Sequence, residues 1–288
     1  MKGDAMTKLL YLECTSGISG DMCAAALLDA GASEEAVRRA LESLPVEGFA
    51  VEISRVKKSG LDVCDFSVVL DAAHENHDHD MAYLHGQGGA SEHGHDHDHG
   101  HAHDHDHAHG APGGHHHRGP ADIAQIIDGA AMTDGAKAIA HRMFGFVADA
   151  EARAHGVPVG EVHFHEVGAV DSIADIIAIA VAADDLAADG VVVSDLPCGY
   201  GTVRCQHGLI PVPAPATAFI AEAAGLTLSP VDVEGELVTP TGAAAAAALR
   251  TEAALPERFS IKAIGMGTGK RAYDTPGILR AMIIEPAE

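Results

Sequence analysis

The sequence has no tryptophan and few aromatic residues of any kind, 4% of the chain. Ile, Leu, Val and Ala must therefore fill the interior. Basic side chains are scarce: 18 Lys and Arg stand against 42 Asp and Glu, a formal charge of −24. Such a field repels nucleic-acid backbones and attracts cations. The five cysteines, Cys14, Cys23, Cys64, Cys198 and Cys205, form no C-x-x-C pair. That removes a zinc-finger pattern and a disulfide framework and fits a reducing compartment. The N-terminus carries no apolar stretch long enough for a signal or membrane helix, with Met6 as an alternative start. A cytoplasmic location with no membrane and no nucleic-acid partner is expected. No glycine-rich segment has the spacing of a P-loop or a dinucleotide fingerprint.

With 288 residues, 47% of them hydrophobic, the chain can build a substantial core. Lys8 to Cys14 reads as a buried strand, and Thr15 to Asp21 as the glycine-containing turn that leaves it. Ser19 then caps a helix that ends near Gly31, and a second helix runs from Ser33 to Leu44. Phe49 to Val56 and Leu61 to Leu70 form a hairpin around Lys57-Lys58-Ser59-Gly60. Helical pattern returns over Ala121 to Ile127 and from Asp134 to His155. Val191 to Leu196 reads as a strand followed by a turn over Pro197 to Thr202. Pro215 opens one helix, and Thr239 with Pro240 opens an alanine-rich one with little steric cover. Gly265 to Arg271 sets three glycines beside two cations, a fair anion contact though not a phosphate loop by spacing, and Ile278 to Ile284 closes the chain as a strand. The fold class is α/β, mixed α+β, with helices packed on a mixed sheet and an inserted disordered His-rich loop. The expected segments are 1–71, 72–118 (the loop) and 119–288, the first and last sharing one core.

Sixteen of the 21 histidines fall between His74 and His117, in a tract of His, Asp and Gly that cannot form a core. Alternating His95, His97, His99 and His101 suit late first-row metals with little geometric selectivity. The blander reading is a solvated insert. A second polar cluster sits in apolar surroundings at Val162 to Ser172. As a strand it would put His163 and His165 on one face, about 7 Å apart, able to share a cation. From Asp171 the period becomes helical, with Asp171 and Asp175 opposite an Ile173, Ile176, Ile177 stripe. Asp171 as a simple cap, with Asp175 in water, is the bland alternative. Cys205 and His207 alternate onto one face further on. The turn before the first helix and the start at Thr239 each offer free N–H groups and a positive helix end to an anion. These features nominate Gly17, Ser19, Gly20, Thr239, Thr241, Gly242 and Lys270 for an anionic substrate group. They nominate His163, His165, Asp171, His207 and the loop histidines for metal, with Glu166 and Asp21 for acid–base chemistry.

Several stretches together resemble the LarC nickel-insertion family. They are Leu12 to Met22 (Leu-Glu-Cys-Thr-Ser-Gly-Ile-Ser-Gly-Asp-Met), the His-rich insert, and His163 to Ile176 (His-Phe-His-Glu-Val-Gly-Ala-Val-Asp-Ser-Ile-Ala-Asp-Ile). His207 to Thr217 and Glu236 to Gly242 complete the set. The resemblance implies a lyase-class enzyme that inserts Ni(2+) into a pyridinium bisthiocarboxylic acid mononucleotide, the precursor of the nickel-pincer cofactor of lactate racemase. It also implies coupling to CTP hydrolysis with Mg(2+) or Mn(2+), through a C-terminal nucleotide-associated domain that is absent here and expected on a separate polypeptide. A homo-oligomer is expected. Two other functions compete. One is a nickel store or metallochaperone with no reaction of its own. The other is a metal-dependent hydrolase using Asp21, His163, His165 and Asp171.

Overall fold

The computed structural model describes residues 7–71, 118–162, 164, 170–205 and 208–287. The described residues form a six-stranded mixed sheet of order β2-β3-β9-β10-β1-β4. β1 (Leu9–Glu13) lies between antiparallel β10 (Ile278–Pro286) and parallel β4 (Gly190–Val193). β9 (Phe259–Thr268) pairs antiparallel with β10 and, over Cys64 and Asp65, parallel with β3 (Leu61–Leu70). β2 (Phe49–Lys58) and β3 make the expected hairpin. It turns at Ser59 (φ 50°) and Gly60 (φ 81°), the left-handed pair that a tight two-residue turn demands.

The sequence signals for helix ends hold. α1 (Gly20–Asp29) follows Ser19, and the Ser33 hydroxyl accepts from the Ala36 N–H (3.1 Å) to open α2 (Glu34–Glu42). α3 (Pro120–Gly129) begins on proline. α4 (Asp134–His155) is capped by Thr133, whose hydroxyl accepts from the Ala136 N–H (3.0 Å), and it ends at left-handed Gly156 (φ 66°). α5 (Val170–Asp185), α6 (Pro215–Ala224) and α7 (Pro240–Leu249) complete the helices. α1 packs on β3, β9 and β10, and α5 packs against α1, α2 and α4. Ile173, Ile176, Ile177 and Ile179 of α5 are all essentially inaccessible. A helix apolar on every side is one that other helices enclose.

Three features differ from the sequence reading. Gly265 and Gly267 are no anion loop, because a Cβ at either would strike the α1 backbone around Met22, Ala26 and Ala30. They are glycines because α1 lies directly on β9. The alanines of α7 are not bare: Ala243 to Ala246 are fully buried, with α4, α6 and α5 packed around α7. The strand placed over Val191 to Leu196 is two. β4 ends at Val193, and β5 (Leu196–Tyr200) pairs with β8 (Leu228–Glu234) in a separate two-stranded sheet. Pro197 and Gly199 suggested a turn. A two-stranded ribbon tolerates a proline on its unpaired side, and Gly199 lies where a Cβ would meet Val233 O and Gly235 O. β6 (Thr202–Cys205) and β7 (Gly208–Pro211) form a further hairpin.

A candidate active cleft at two joined helix starts

β1, β9 and β3 run in the same direction, and the segments leaving β1 and β9 border one cleft of about 620 Å³. Ligand sites gather at the carboxyl ends of strands in such sheets. The volume lies in the range that suits a small molecule.

The floor of the cleft is built from two helix starts tied side by side. The Ile18 N–H donates to Leu237 O (2.9 Å), and the Thr239 N–H donates to Ile18 O (3.2 Å). This short bridge brings the approach to α1 against the approach to α7. It explains two glycines. A Cβ on Gly17 (φ 110°) would overlap Leu237 O, and one on Gly242 would overlap Ile18 O. Both are needed for chain to meet chain, and neither lines the cleft. At α7 the Thr239 hydroxyl accepts from the Gly242 N–H (3.1 Å), and Pro240 has no N–H, so Thr241 carries the remaining donors. At α1 the Ser19 hydroxyl donates to the Asp21 carboxylate and does not accept from the helix. The Met22 N–H donates to the same Asp21 oxygen (2.8 Å).

One wall is acidic. Asp21 comes from α1, and Asp171 and Asp175 come from α5. Burial pushes the Asp21 carboxyl above its ordinary range, against the pull of Ser19 and the Met22 N–H. Burial, then the Asp21 and Asp171 carboxylates, push Asp175 well above it. The Asp175 side chain makes no hydrogen bond to any described residue. It lies against Gly20, where a Cβ would overlap the carboxylate. It therefore packs against the first turn of α1 at the wall of the cleft, half-buried, where helical periodicity alone had left it facing open solvent. Gly20→Ala should cost about 1–3 kcal/mol by urea denaturation, although Ala is the better helix former. Unchanged stability would show that the contact is loose.

Cations line the same cleft. Gly269 packs against Ser19 and Met22, setting Lys270 beside the start of α1. The Lys270 ammonium bridges both oxygens of Asp65, and its charge also lowers the Asp21 and Asp175 pKa values. The turn is fixed from behind by Lys58, whose ammonium donates to Arg271 O (3.1 Å) and Gly269 O (3.4 Å). Arg271 pairs with Glu236 through Nη1 (2.5 Å). Arg204, on β6, also lines this cleft.

Of the residues nominated from sequence, Ser19, Gly20, Asp21, Asp171, Thr239, Thr241 and Lys270 therefore meet in one place. His163, His165, Glu166, His207 and the loop histidines His95, His97, His99 and His101 lie outside the described residues, as does the insert over 72–117. Among the described residues no group of three or more His, Cys, Asp or Glu side chains is arranged to hold a metal ion. Cys14, Cys23 and Cys64 are buried and their thiols pushed up by burial, so they are poor thiolate ligands. Sequence reasoning missed Glu236 and Arg271. The signal available was their position, at the head of the Glu236 to Gly242 motif and next to Lys270. No helix among the described residues is long and apolar enough to cross a membrane.

The structure thus defines a mixed α/β protein with one cleft lined by two helix starts, the carboxylates Asp21, Asp171 and Asp175, and the cations Lys270, Arg271 and Arg204. The chain belongs to the nickel insertion protein family, whose sequence model matches residues 10–288. It is 48% identical over 281 residues to a protein of Alkaliphilus metalliredigens (strain QYMF) named pyridinium-3,5-bisthiocarboxylic acid mononucleotide nickel insertion protein. That alignment covers 97% of this chain and 61% of the relative. Proteins with the same name from Geobacillus kaustophilus (strain HTA426) and Akkermansia muciniphila are 38% and 39% identical. They align over 96% and 98% of this chain and 60% and 61% of their own lengths. The chain thus spans about three-fifths of the length of these relatives. No solved structure matches it.

Proposed function

We propose that this chain inserts Ni(2+) into a pyridinium bisthiocarboxylic acid mononucleotide. The observation that carries the reading is the sharing of one cleft by the carboxylates Asp21, Asp171 and Asp175, the cations Lys270, Arg271 and Arg204, and two helix starts. The relatives' names supply the substrate. It has an anionic phosphate end that the helix starts and cations suit, and a ring with thiocarboxylates at positions 3 and 5. A metal held by both sulfurs lies against the ring carbon between them. Forming a nickel–carbon bond there releases that carbon's proton, so the reaction needs a ligand set that yields the metal and a base that takes the proton. Imidazole and carboxylate release nickel more readily than thiolate does. We assign delivery to His163, His165, His207 and Asp171, with Asp21 and Asp175 completing the acidic wall, and the base to Glu166. Asp21, whose carboxyl burial raises above its ordinary range, is the second acid–base group. Coupling to CTP hydrolysis with Mg(2+) or Mn(2+) follows from the resemblance and is assigned to no residue of the cleft.

The test is turnover. The purified protein, given Ni(2+), the mononucleotide, CTP and Mg(2+), with a C-terminal region of a longer relative supplied in trans, should yield the nickel-bearing product by mass spectrometry. Deleting residues 72–118 should lower bound nickel several-fold by metal analysis and leave turnover in place at saturating metal. If deletion abolishes nickel binding and no product forms before or after it, the chain is a nickel store.

A further inference from the structure

Arg271 is held in a way that leaves half of its guanidinium unused. Its Nη1 bonds Glu236 Oε2 (2.5 Å) and approaches the Tyr273 hydroxyl (3.4 Å). Its Nε and Nη2 have no partner among the described residues. Glu236 is 6% exposed and stands three residues before Thr239, the cap of α7, so the ion pair fixes the guanidinium beside that helix start. Tyr273 is seated in turn, because its ring fills the space where a Cβ of Gly235 would be. Arg271, Tyr273, Glu236 and Thr241 all line the cleft. The Thr241 hydroxyl bonds no described residue, and its N–H has no intrahelical acceptor. Burial opposes the charge on Arg271, and Glu236 and Tyr273 together more than offset it, so the cation is permanent.

A planar cation gripped on one edge by a buried carboxylate, with its other edge free, is a preset fork for a tetrahedral oxyanion. Lys270 is unsuited to that part, since its ammonium is taken by Asp65. We infer that Arg271, oriented by Glu236 and Tyr273 and joined by the Thr241 hydroxyl and N–H, is the recognition site for the phosphate monoester of a pyridinium mononucleotide and distinguishes it from the corresponding nucleoside. The inference rests on the proposed substrate class and names the residues that would read its phosphate.

The experiment is titration calorimetry of the full chain without nickel, using nicotinamide mononucleotide, nicotinamide riboside and inorganic phosphate as probes. The mononucleotide should bind roughly 30-fold tighter than the riboside, the scale of a charge-assisted fork. Inorganic phosphate should compete only weakly, because it lacks the ring and ribose contacts. Arg271→Lys keeps the charge without the fork and should lose most of the discrimination. Arg271→Met leaves the Glu236 carboxylate buried without its guanidinium, so the double variant Arg271→Met with Glu236→Gln serves as the foldable control. It should bind mononucleotide and riboside alike, with a normal melting curve. A wild-type protein that binds the two probes equally, or binds neither, overturns the inference, as does a double variant that still discriminates. Free phosphate competing as well as the mononucleotide would mark a general anion site and overturn it too. Expected discrimination in a protein that takes up no nickel would sink the nickel-insertion reading and leave the phosphate site standing.

Discussion

Asp175→Asn should leave a protein that is more stable than the parent and close to inactive. The Asp175 side chain is half-buried in the cleft wall, lies near the Asp21 and Asp171 carboxylates, and has no hydrogen-bond partner among the described residues. A charge so placed destabilises the fold. Replacing it by a neutral isostere should raise stability at neutral pH by about 1 kcal/mol or more, about 2–4 °C in Tm per kcal/mol for a chain approaching this size. The pH dependence has a definite sign. The folded-state pKa is raised, so between the unfolded and folded values the native protein holds more protons and stability falls as pH rises. In metal-free protein the advantage of the Asn variant should thus be largest above the folded-state pKa and vanish in acid. Nickel insertion should drop roughly 100-fold, the upper range for losing a group that orients or holds a metal. Calorimetric melts of both proteins across pH check the first part, and a variant less stable at every pH would refute it. Residues kept against stability are those that function requires.

The second large effect is expected at the histidine cluster. His163→Ala and His165→Ala should each abolish insertion and weaken tight nickel binding, measured in protein lacking residues 72–118 so that the loop does not mask the loss. Glu166→Gln should keep nickel and stop turnover, because a neutral amide can neither accept the ring proton nor replace a carboxylate base. The readouts are equilibrium dialysis for metal and product formation for the reaction. Asp171, the first-turn acid of α5, follows Glu166 by five residues in the sequence and lines the cleft. Should both histidine variants turn over at the parent rate, the cluster is structural and the assignment of metal delivery to it fails.

These two predictions draw on different kinds of information. Glu166 and the two histidines are nominated from residue type alone, a dense run of ligands and carboxylates in an apolar setting, and lie outside the described residues. The same reading set Asp175 on the face of α5 opposite the apolar stripe, with water as the bland alternative. Helical periodicity records which side of a helix is polar, not what lies opposite it. Here the opposite group is the first turn of α1, some 155 positions earlier in the chain. Gly17, Gly20 and Gly242 show the same limit. Each reads as room for a ligand, and each is in fact occupied by another part of the protein, the Leu237 carbonyl, the Asp175 carboxylate and the Ile18 carbonyl.

What the sequence determined by itself was local. The caps at Ser33, Thr133 and Thr239, the prolines opening α3, α6 and α7, and the Ser59-Gly60 turn are written in residues within a few positions of one another. Their energetics are settled by short-range hydrogen bonds and φ preferences. Chain-long similarity to the nickel insertion family was legible as well, because its motifs are contiguous. Only the tertiary structure decided that Ile18 meets Leu237, that Arg271 meets Glu236, and that Lys270 meets Asp65. The partners in these pairs are 219, 35 and 205 residues apart. Packing of α1 on β9 and of α7 among its neighbouring helices brings them together, and no local preference encodes that encounter.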